Sequence, residues 1–326
     1  MSAAAKRISR KALVTGGAGF IGSHVVSRLL RDGWSVVVYD DFRTGRRRFL
    51  APHAGDPRLS VVAGDALDAR RLHAAMAGAD AVFHLQANAD VRGGPKNTRV
   101  DLDQNTIATW NVLEGLRRRG IGRLVFSSSA VVYGEPDVFP TPEGAVTTQT
   151  SLYGASKLAC EAMIQAYSSY YGIRAEVFRF VSWIGENYSH GVIYDFFKKL
   201  KKDPRRLEIL GDGRQRKSYL YVGDGVDGIF TAFRKAGGRM NTFNLGHRDF
   251  LDVRELARIV VDEMGLRGVR FEFAGGRRGW PGDAPFVHLD VSKMRALGWT
   301  PRTSIEEGVR RTVRFLAASP WLLRRA

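Results

Sequence analysis

A tyrosine and a lysine four residues apart are the clearest candidates for chemistry in this sequence. Tyr153 and Lys157 begin a predicted helix, so their side chains share one helix face. A nearby ammonium stabilises a phenolate, and we therefore expect the pKa of Tyr153 to fall below its usual value of about 10. A phenol tuned in this way takes a proton from a hydroxyl group and returns it. Ser129, at the end of a predicted strand, is placed to hydrogen-bond the same hydroxyl.

The first predicted strand leads into a glycine-rich turn. Gly16, Gly19 and Gly22 follow one another at three-residue intervals. Such spacing provides a tight turn, lets the backbone approach a pyrophosphate and allows close packing of helix on strand. The helix that begins with Phe20 and Ile21 offers free N–H groups and a positive dipole end to phosphates. The sequence therefore predicts a dinucleotide-binding site at this turn.

An acidic residue at the end of the second predicted strand indicates the type of dinucleotide. Asp40 lies roughly 20 residues after the glycine turn, where a carboxylate accepts hydrogen bonds from a ribose diol and repels a 2′-phosphate. This favours NAD over NADP, although Arg43 and Arg46 are close by and an arginine can receive a 2′-phosphate. After the third predicted strand, Asp65 and Ala66 are predicted to contact the adenine.

The elements that must position these residues alternate between strand and helix. Up to about residue 180, short apolar runs alternate with amphipathic stretches, which predicts an α/β fold with a doubly wound parallel sheet of the Rossmann type. The predicted strands are Lys11–Thr15, Ser35–Tyr39, Leu59–Ala63, Ala81–Leu85, Arg123–Ser127 and Arg174–Phe180. The predicted helices are Gly19–Arg31, Arg70–Met76, Asp101–Arg119 and Tyr153–Tyr171.

Beyond residue 180 the pattern becomes irregular and predicts a smaller, mixed α/β lobe. We predict an NAD-binding domain over 1–180, to which a segment near 218–246 returns, and an interleaved substrate-binding lobe over 181–326. Ligands of open α/β sheets bind beyond the carboxyl ends of the strands, so the cleft between the lobes is the predicted site. The helices predicted here are Val192–Lys202, Asp224–Ala236, Val253–Met264 and Ile305–Leu316.

These residues together resemble the extended short-chain dehydrogenase/reductase family, which contains the nucleotide-sugar epimerases and dehydratases, over nearly the whole chain. The resemblance implies NAD as the cofactor and Ser129, Tyr153 and Lys157 as catalytic residues. The matching segments are the glycine turn, Asp40, His84–Ala87, Asn105, Ser127–Gly134, the Tyr153 and Lys157 pair, Gly211–Gln215 and Gly279–Asp283. Further cofactor contacts implied by the resemblance are Asp41, Leu85, Gln86, Ala87, Asn105, Ser127, Tyr153 and Lys157.

Within this family the chain is most similar to the UDP-galactose 4-epimerases. The resemblance implies that Tyr153 removes the C4 hydroxyl proton, that the C4 hydride goes to bound NAD, and that it returns to the other face of the 4-keto sugar. Dehydratases carry an Asp-Glu pair directly after the catalytic Ser or Thr, whereas Ala130 and Val131 stand here and neither can act as an acid or a base. The alternatives are an epimerase, reductase or decarboxylase acting on another nucleotide sugar, of the uronic-acid or heptose type.

The predicted substrate contacts depart from the epimerase pattern at several positions. Ser182 stands where an Asn is usual, and Lys217 replaces an Arg, exchanging a bidentate fork for a point charge. We expect Lys217 and Arg278 to contact the diphosphate. Val287, four residues after Asp283, replaces a bulky Tyr, so N-acetylated UDP-sugars are expected to fit. The predicted substrate-binding residues are Ser128, Ser129, Tyr153, Ser182, Gly191, Val192, Lys217, Arg278 and Asp283.

Composition excludes several other classes of protein. The hydrophobic share of 44% over 326 residues is enough for a sizeable core. The single cysteine, Cys160, excludes a disulfide scaffold or a Cys-rich metal site and fits a reducing cytoplasm. We predict no metal site. No apolar run approaches the roughly 18 residues of a membrane span, and the basic start of the chain lacks the apolar stretch of a secretory signal.

The net charge is +17, from 50 Lys and Arg against 33 Asp and Glu, which raises the question of a nucleic-acid partner. The basic residues are scattered, as at Arg46–Arg48, Arg117–Arg119 and Lys198–Arg206. We therefore predict a solvated basic surface, an anionic small substrate and no nucleic acid, with a non-catalytic polyanion-binding protein as the distant alternative. The resemblance also implies a homodimer formed through the two long helices that contain Asn105 and Tyr153.

Overall fold

The computed structural model describes residues 10–88, 90, 93–280 and 282–323. The strands of the N-terminal part are β1 Lys11–Thr15, β2 Ser35–Asp40, β3 Leu59–Ala63, β4 Ala81–His84, β5 Arg123–Ser129 and β6 Arg174–Phe180. The strands that follow are β7 Ser182–Ile184, β8 Arg206–Ile209, β9 Arg216–Lys217, β10 Tyr219–Tyr221, β11 Met240–Leu245, β12 Leu251–Asp252, β13 Arg270–Phe273 and β14 Phe286–Val287.

The helices alternate with these strands in the predicted order. They are α1 Phe20–Arg31, α2 Ala69–Ala75, α3 Ala108–Arg119, α4 Leu152–Tyr171, α5 Val192–Lys202, α6 Val222–Lys235, α7 Val253–Glu263, α8 Ser292–Ala296 and α9 Ile305–Ala318. Each helix and strand named in the sequence analysis is confirmed to within a few residues at its ends, apart from the start of the helix predicted over 101–119.

A parallel sheet of seven strands forms the centre of the fold, in the order β11-β6-β5-β4-β1-β2-β3. The predicted doubly wound α/β class is therefore confirmed. The chain winds in opposite directions from β1 and β4, and the crevice at such a switch point is where ligands of these sheets bind. The ends of β1, β2, β4 and β5 all open at this edge, which brings the glycine turn close to the serine run.

Helices cover both faces of the sheet, and each face has its own apolar core. One core contains α1 and α6 and continues into the smaller lobe, while the other lies beneath α2, α3 and α4. Residues 218–246 supply α6 and the edge strand β11, which pairs with β6. In the described part of the chain, no helix is both long and apolar enough to cross a membrane.

The smaller lobe is built from short strands and three packed helices. The strands form the pairs β7 with β10 and β8 with β13, and a three-stranded sheet in the order β12-β9-β14. Helices α5, α7 and α9 pack on one another behind them. Because β7 directly follows β6, the smaller lobe begins at the carboxyl edge of the large sheet.

The long helix predicted over 101–119 begins with a different geometry. Residues Leu102–Ile107 form a π-helical turn, and the α-helix α3 starts only at Ala108. Within this turn, Asn105 is buried and its side chain accepts a hydrogen bond from the Asn88 N–H at 2.8 Å and donates to Ser156 Oγ at 2.9 Å. These tertiary hydrogen bonds accompany the local π geometry, a feature that is frequent at functional sites.

Candidate active site

The predicted catalytic residues meet at the carboxyl end of β5. Ser129 hydrogen-bonds with the half-buried phenol of Tyr153. Lys157 lies one helical turn further along α4, is 2% exposed, and its Nζ donates to the Ser127 carbonyl oxygen at 2.7 Å. The ammonium also lies 6.0 Å from the centre of the Tyr153 ring. The structure therefore brings a hydroxyl, a phenol and an ammonium together, as the spacing predicted.

The direction of the pKa shift of Tyr153 differs from the expectation. Burial raises the pKa of Tyr153 to about 12, and the hydrogen bond from Ser129 offsets only part of this rise. Burial also lowers the pKa of Lys157 to about 8. In the protein alone, desolvation of the phenolate thus outweighs the attraction that the tyrosine–lysine spacing indicated.

The glycine turn has the shape that a pyrophosphate requires. Gly16 has φ +68°, and a Cβ there would lie 2.8 Å from the Gln86 nitrogen; a Cβ on Gly22 would lie 2.0 Å from the Gly16 oxygen. No described side chain caps the N-terminus of α1, where Gly19 is the capping residue. The first N–H groups of the helix, on Phe20 and its neighbours, are therefore available to an anion.

The acidic residues after β2 and β3 fit a cofactor with a free ribose diol. Asp40 Oδ2 accepts from the Ala18 N–H at 2.9 Å and Oδ1 from the Phe42 N–H at 2.8 Å, and burial raises its pKa. A carboxylate has further acceptor sites for ribose hydroxyls. Arg43 pairs with Asp41 and with Asp65, so its guanidinium is neutralised by two carboxylates. This supports the choice of NAD over NADP.

Four further predicted cofactor residues lie around this crevice. Leu85, Gln86 and Ala87 follow β4 and are half-buried, and Gln86 Nε2 donates to Gln104 Oε1 at 3.2 Å. Ala66 is fully buried and its carbonyl oxygen accepts from Asn111 Nδ2 at 2.9 Å. Together with the uncapped N-terminus of α1 and the glycines of the turn, these residues fit NAD. They would hold it by its pyrophosphate, its adenosine ribose and its adenine.

A chain of hydrogen bonds that includes His84 and Cys160 lies behind the site. His84 is fully buried between Thr15 Oγ1 at 2.7 Å and Thr109 Oγ1 at 3.0 Å, and burial lowers its pKa to about 3. Cys160 is buried and lies 3.3 Å from the same Thr109 hydroxyl. Both residues therefore belong to the packed wall of the site. Among the described residues, no group of three or more His, Cys, Asp or Glu side chains could hold a metal.

Ser128, which we predicted to contact the substrate, has its side chain buried against α4. It is 2% exposed and its Oγ donates to Glu161 Oε1 on the inner side of α4. Side chains alternate along a strand, so Ser127 and Ser129 face one side of the sheet and Ser128 the other. Glu161 also pairs with Arg179. Neither charged residue is among the predicted site residues, although Glu161 stands four residues after Lys157 and therefore on the same helix face.

The smaller lobe brings three of the predicted substrate residues together. Lys217 pairs with Asp283, which is 3% exposed, and Arg278 Nη1 donates to the Asp283 carbonyl oxygen at 3.1 Å. Arg278 also pairs with Glu135, which follows the serine run in the large domain. The charge of Lys217 is therefore compensated by the carboxylate of Asp283. The ion pair of Arg278 with Glu135 connects the smaller lobe to the large domain.

The remaining predicted substrate residues belong to the smaller lobe. Ser182 is exposed at the start of β7. Gly191, with φ +104°, is the capping residue of α5, and Val192 is its first residue. Val287 lies in β14 beside Lys217 and lines a small cavity with Ala130 from the large domain.

Comparison with known proteins agrees with this geometry. The model of the NAD dependent epimerase/dehydratase family matches residues 12–246. A UDP-glucose 4-epimerase of Mycolicibacterium smegmatis is 32% identical over 94% of this chain and 98% of the relative. A UDP-glucuronic acid decarboxylase 1 of Xenopus tropicalis is 29% identical over 94% of this chain and 72% of the relative.

Solved structures of 4-epimerases also align with nearly the whole chain. A crystal structure of a UDP-galactose 4-epimerase aligns with a TM-score of 0.85 and 38% identity, covering 95% of this chain and all (100%) of the other. A Thermus thermophilus UDP-glucose 4-epimerase in complex with NAD aligns with a TM-score of 0.85 and 30% identity, covering 95% of this chain and 99% of that one.

Proposed function

Because the chain belongs to the NAD-dependent epimerase/dehydratase family, we propose that it is a nucleotide-sugar 4-epimerase that acts on a UDP-hexose. The observation that carries this proposal is the contact between Ser129 and Tyr153 beside the buried ammonium of Lys157. The directly following residues, Ala130 and Val131, have no acidic group, which disfavours the elimination of water. The same three polar groups at one strand end are suited to removing and returning a single hydroxyl proton.

The proton is handled by the chain's own residues. Ser129 hydrogen-bonds the C4 hydroxyl and orients it toward Tyr153, whose phenolate form, a minor one in the protein alone, takes the proton. Lys157, whose ammonium is held in place by its hydrogen bond to the Ser127 carbonyl oxygen, stabilises that phenolate electrostatically. NAD, when bound in the crevice, would supply the hydride acceptor and donor at C4. After the 4-keto sugar has rotated to present its other face, Tyr153 returns its proton, and no net oxidation has occurred.

The smaller lobe supports a diphosphate as the anchored part of the substrate. Lys217 and Arg278 lie on the same side of the cleft, within one cluster around Asp283. The diphosphate takes the place of Glu135 as the partner of Arg278, because both are anions and Glu135 is 40% exposed in its side chain. Anchoring at the diphosphate leaves the sugar free to present either face to the catalytic residues.

The substrate proposal extends to N-acetylated sugars. Val287 is small and half-buried, and its neighbours in the cavity include Ala130 and Phe139. A small side chain at this place leaves room for a substituent on the hexose. UDP-N-acetylglucosamine therefore stands beside UDP-glucose as a proposed substrate, and UDP-glucuronate represents the alternative branch.

We also propose a homodimer in the cytoplasm. Large apolar side chains are exposed on the long helices and the π-helical turn: Leu102, Ile107, Trp110, Leu152, Tyr170 and Tyr171. Several exposed apolar side chains on neighbouring helices are typical of an interaction site, and a second copy of the chain offers the same helices across a two-fold axis. The free, buried thiol of Cys160 fits a reducing compartment.

The experiment that tests the function is proton NMR of the purified protein without added NAD. UDP-glucose, UDP-N-acetylglucosamine and UDP-glucuronate are offered separately, and the anomeric region is followed. The expected result is a new anomeric signal of the 4-epimer with at least one UDP-hexose. Release of carbon dioxide from UDP-glucuronate, or no change with all three from protein shown to carry NAD, would contradict the proposal.

A further inference from the structure

A buried polar cluster fastens the inner side of α4 to two strands of the sheet. Ser128 on β5 donates to Glu161 Oε1, and Arg179 on β6 donates from Nε to Oε1 at 3.1 Å and from Nη2 to Oε2 at 2.7 Å. The exposed fractions of Ser128, Glu161 and Arg179 are 2%, 7% and 7%. The carboxylate therefore has both oxygens engaged, by groups from two neighbouring strands, in a place that excludes water.

The same carboxylate belongs to the helix face that carries the catalytic pair. Tyr153, Lys157 and Glu161 follow one another at intervals of four residues, so their side chains lie in a row along α4. Fastening Glu161 to β5 and β6 sets both the rotation and the height of the helix above the sheet. That placement lets Lys157 reach the Ser127 carbonyl at 2.7 Å.

The arginine of this cluster also holds the loop between β5 and α4. Arg179 Nη1 donates to the Glu143 carbonyl oxygen at 2.9 Å, and its guanidinium lies 4.7 Å from the centre of the Tyr133 ring. Tyr133 donates in turn to Asn244 Oδ1 at 2.7 Å, on β11. One buried ion pair thus connects the catalytic helix, the serine strand and the loop that leads to Tyr153.

Glu161 also contributes charge next to the catalytic ammonium. The titratable groups that act on Lys157 are Cys160 and Glu161 on its own helix, Asp101 beside the π-helical turn and His84 on β4. His84 is neutral because burial lowers its pKa, and burial raises the pKa of Cys160. The negative charges near Lys157 are therefore those of the carboxylates.

We propose that Glu161, held by Arg179 and Ser128, is a positioning residue for the tyrosine–lysine pair. It fixes the catalytic helix against β5 and β6 and keeps a negative charge one helical turn from the Lys157 ammonium. This inference rests on the proposed function only in taking Tyr153 and Lys157 as the catalytic pair.

The test follows the titration of Lys157 in the full chain with its bound NAD, by NMR of protein carrying ¹³C-labelled lysine. The Lys157 signal is assigned by its absence in Lys157→Met. Glu161→Gln is expected to lower the pKa of Lys157 by about one unit, because an opposite charge one helical turn away is lost. In turnover assays the decline of kcat at alkaline pH should move to lower pH by the same amount, with KM unchanged.

Glu176→Gln is the matched control. Glu176 is also on β6, is fully buried, and pairs with Arg174 at 2.9 Å and Arg123 at 3.4 Å, but it lies nearer the amino end of the strand. Its neutralisation is expected to lower the Tm and to leave the titration of Lys157 unchanged. Equal titration curves for Lys157 in the wild type and in Glu161→Gln would overturn the proposal, as would an equal shift in Glu176→Gln.

A second variant covers the case in which Glu161→Gln does not fold. The double variant Glu161→Gln with Arg179→Met leaves neither charge buried without its partner. The pKa of Lys157 is expected to fall in it as well, but by less than in Glu161→Gln alone, because the loss of the Arg179 cation acts in the opposite direction. The NMR titration does not depend on turnover. Absence of turnover in the wild type would therefore contradict the proposed function while the titration still decides whether Glu161 acts on Lys157.

Discussion

The ammonium nitrogen of Lys157 lies 2.7 Å from the main-chain carbonyl oxygen of Ser127, and this hydrogen bond joins α4 to the strand that ends in Ser129. The lysine is 2% exposed, so its charge is held in a place from which water is excluded. The charge of an ammonium in such surroundings is only weakly screened, because the local dielectric constant is low. The hydrogen bond between Lys157 and Ser127 thus holds the ammonium beside Tyr153 and Ser129, and the first two predictions follow from this arrangement.

Replacing Tyr153 by Phe removes the only atom of that side chain that exchanges a proton. We expect kcat to fall by about 10²- to 10⁴-fold, the usual contribution of a positioned acid–base group. Binding of UDP, measured by titration calorimetry, should stay within about twofold, because the hydroxyl faces Ser129 and not the residues around Asp283. A fall in UDP affinity that matched the loss of kcat would show that Tyr153 acts mainly in binding.

The buried lysine predicts a pH dependence of both activity and stability. Burial lowers the pKa of Lys157 from 10.5 to about 8, so kcat should decline as pH rises through about 8 and the ammonium is lost. The unfolded chain keeps this proton up to higher pH, so folding releases a proton between about pH 8 and 10. The cost of burying the ammonium is therefore relieved and the free energy of unfolding rises with pH in that window, by up to about 1.4 kcal/mol per pH unit.

Urea denaturation of the wild type and of Lys157→Met at several pH values between 8 and 10 measures this effect. Tyr153, with its pKa raised to about 12, does not titrate in the folded protein within this range. The difference in the free energy of unfolding between the two proteins should change with pH in favour of the wild type. A constant difference across the range would contradict the lowered pKa of Lys157.

The glycine turn should not tolerate even a methyl group at Gly22. An added Cβ would lie 2.0 Å from the Gly16 carbonyl oxygen, so Gly22→Ala must displace the turn that holds the pyrophosphate. We expect a lower Tm and at least a tenfold loss of NAD from the purified protein, measured after acid release. Gly122→Ala, at a position where a Cβ meets nothing within 4 Å, is the control and should retain both.

Substitutions of Lys217 and of Arg278 should both weaken UDP binding but should differ in their effect on the Tm. Arg278 is 43% exposed in its side chain, so Arg278→Gln is expected to weaken UDP binding about tenfold and to leave the Tm unchanged. Lys217→Met should weaken UDP binding and lower the Tm as well, because it leaves Asp283 buried without its cation. Titration calorimetry measures the UDP affinity and scanning calorimetry the Tm of each variant. Equal Tm values for Lys217→Met and the wild type would show that Lys217 does not compensate the charge of Asp283.

The proposed dimer predicts a charge-sensitive position on α3. Trp110 is 45% exposed, and Trp110→Glu is expected to shift the mass measured by light scattering from dimer to monomer at micromolar concentration. Val146→Glu is the control, because Val146 is 82% exposed but lies outside the two helices. A wild type that is monomeric at this concentration would refute the dimer directly.

Strand and helix positions could be predicted because they depend on local patterns. The apolar run Ser35–Tyr39 and the glycines around Phe20 indicate their elements by composition and spacing alone. The tyrosine–lysine pair was equally local, since four residues along a helix place two side chains on one face. The π-helical turn at Asn105 was not predictable in this way, because its side chain bonds with Asn88 and Ser156 from other parts of the chain.

The sequence by itself thus determined the doubly wound fold, the dinucleotide turn and the identity of the tyrosine–lysine pair. Only the tertiary structure decided that Ser128 faces Glu161, that Lys217 is paired with Asp283, and that the pKa of Tyr153 rises. Each of these depends on residues far apart in the chain or on the extent of burial, and a low-dielectric interior changes the balance between attraction and desolvation. Spacing along one chain gives neither the distance between such groups nor the amount of water around them.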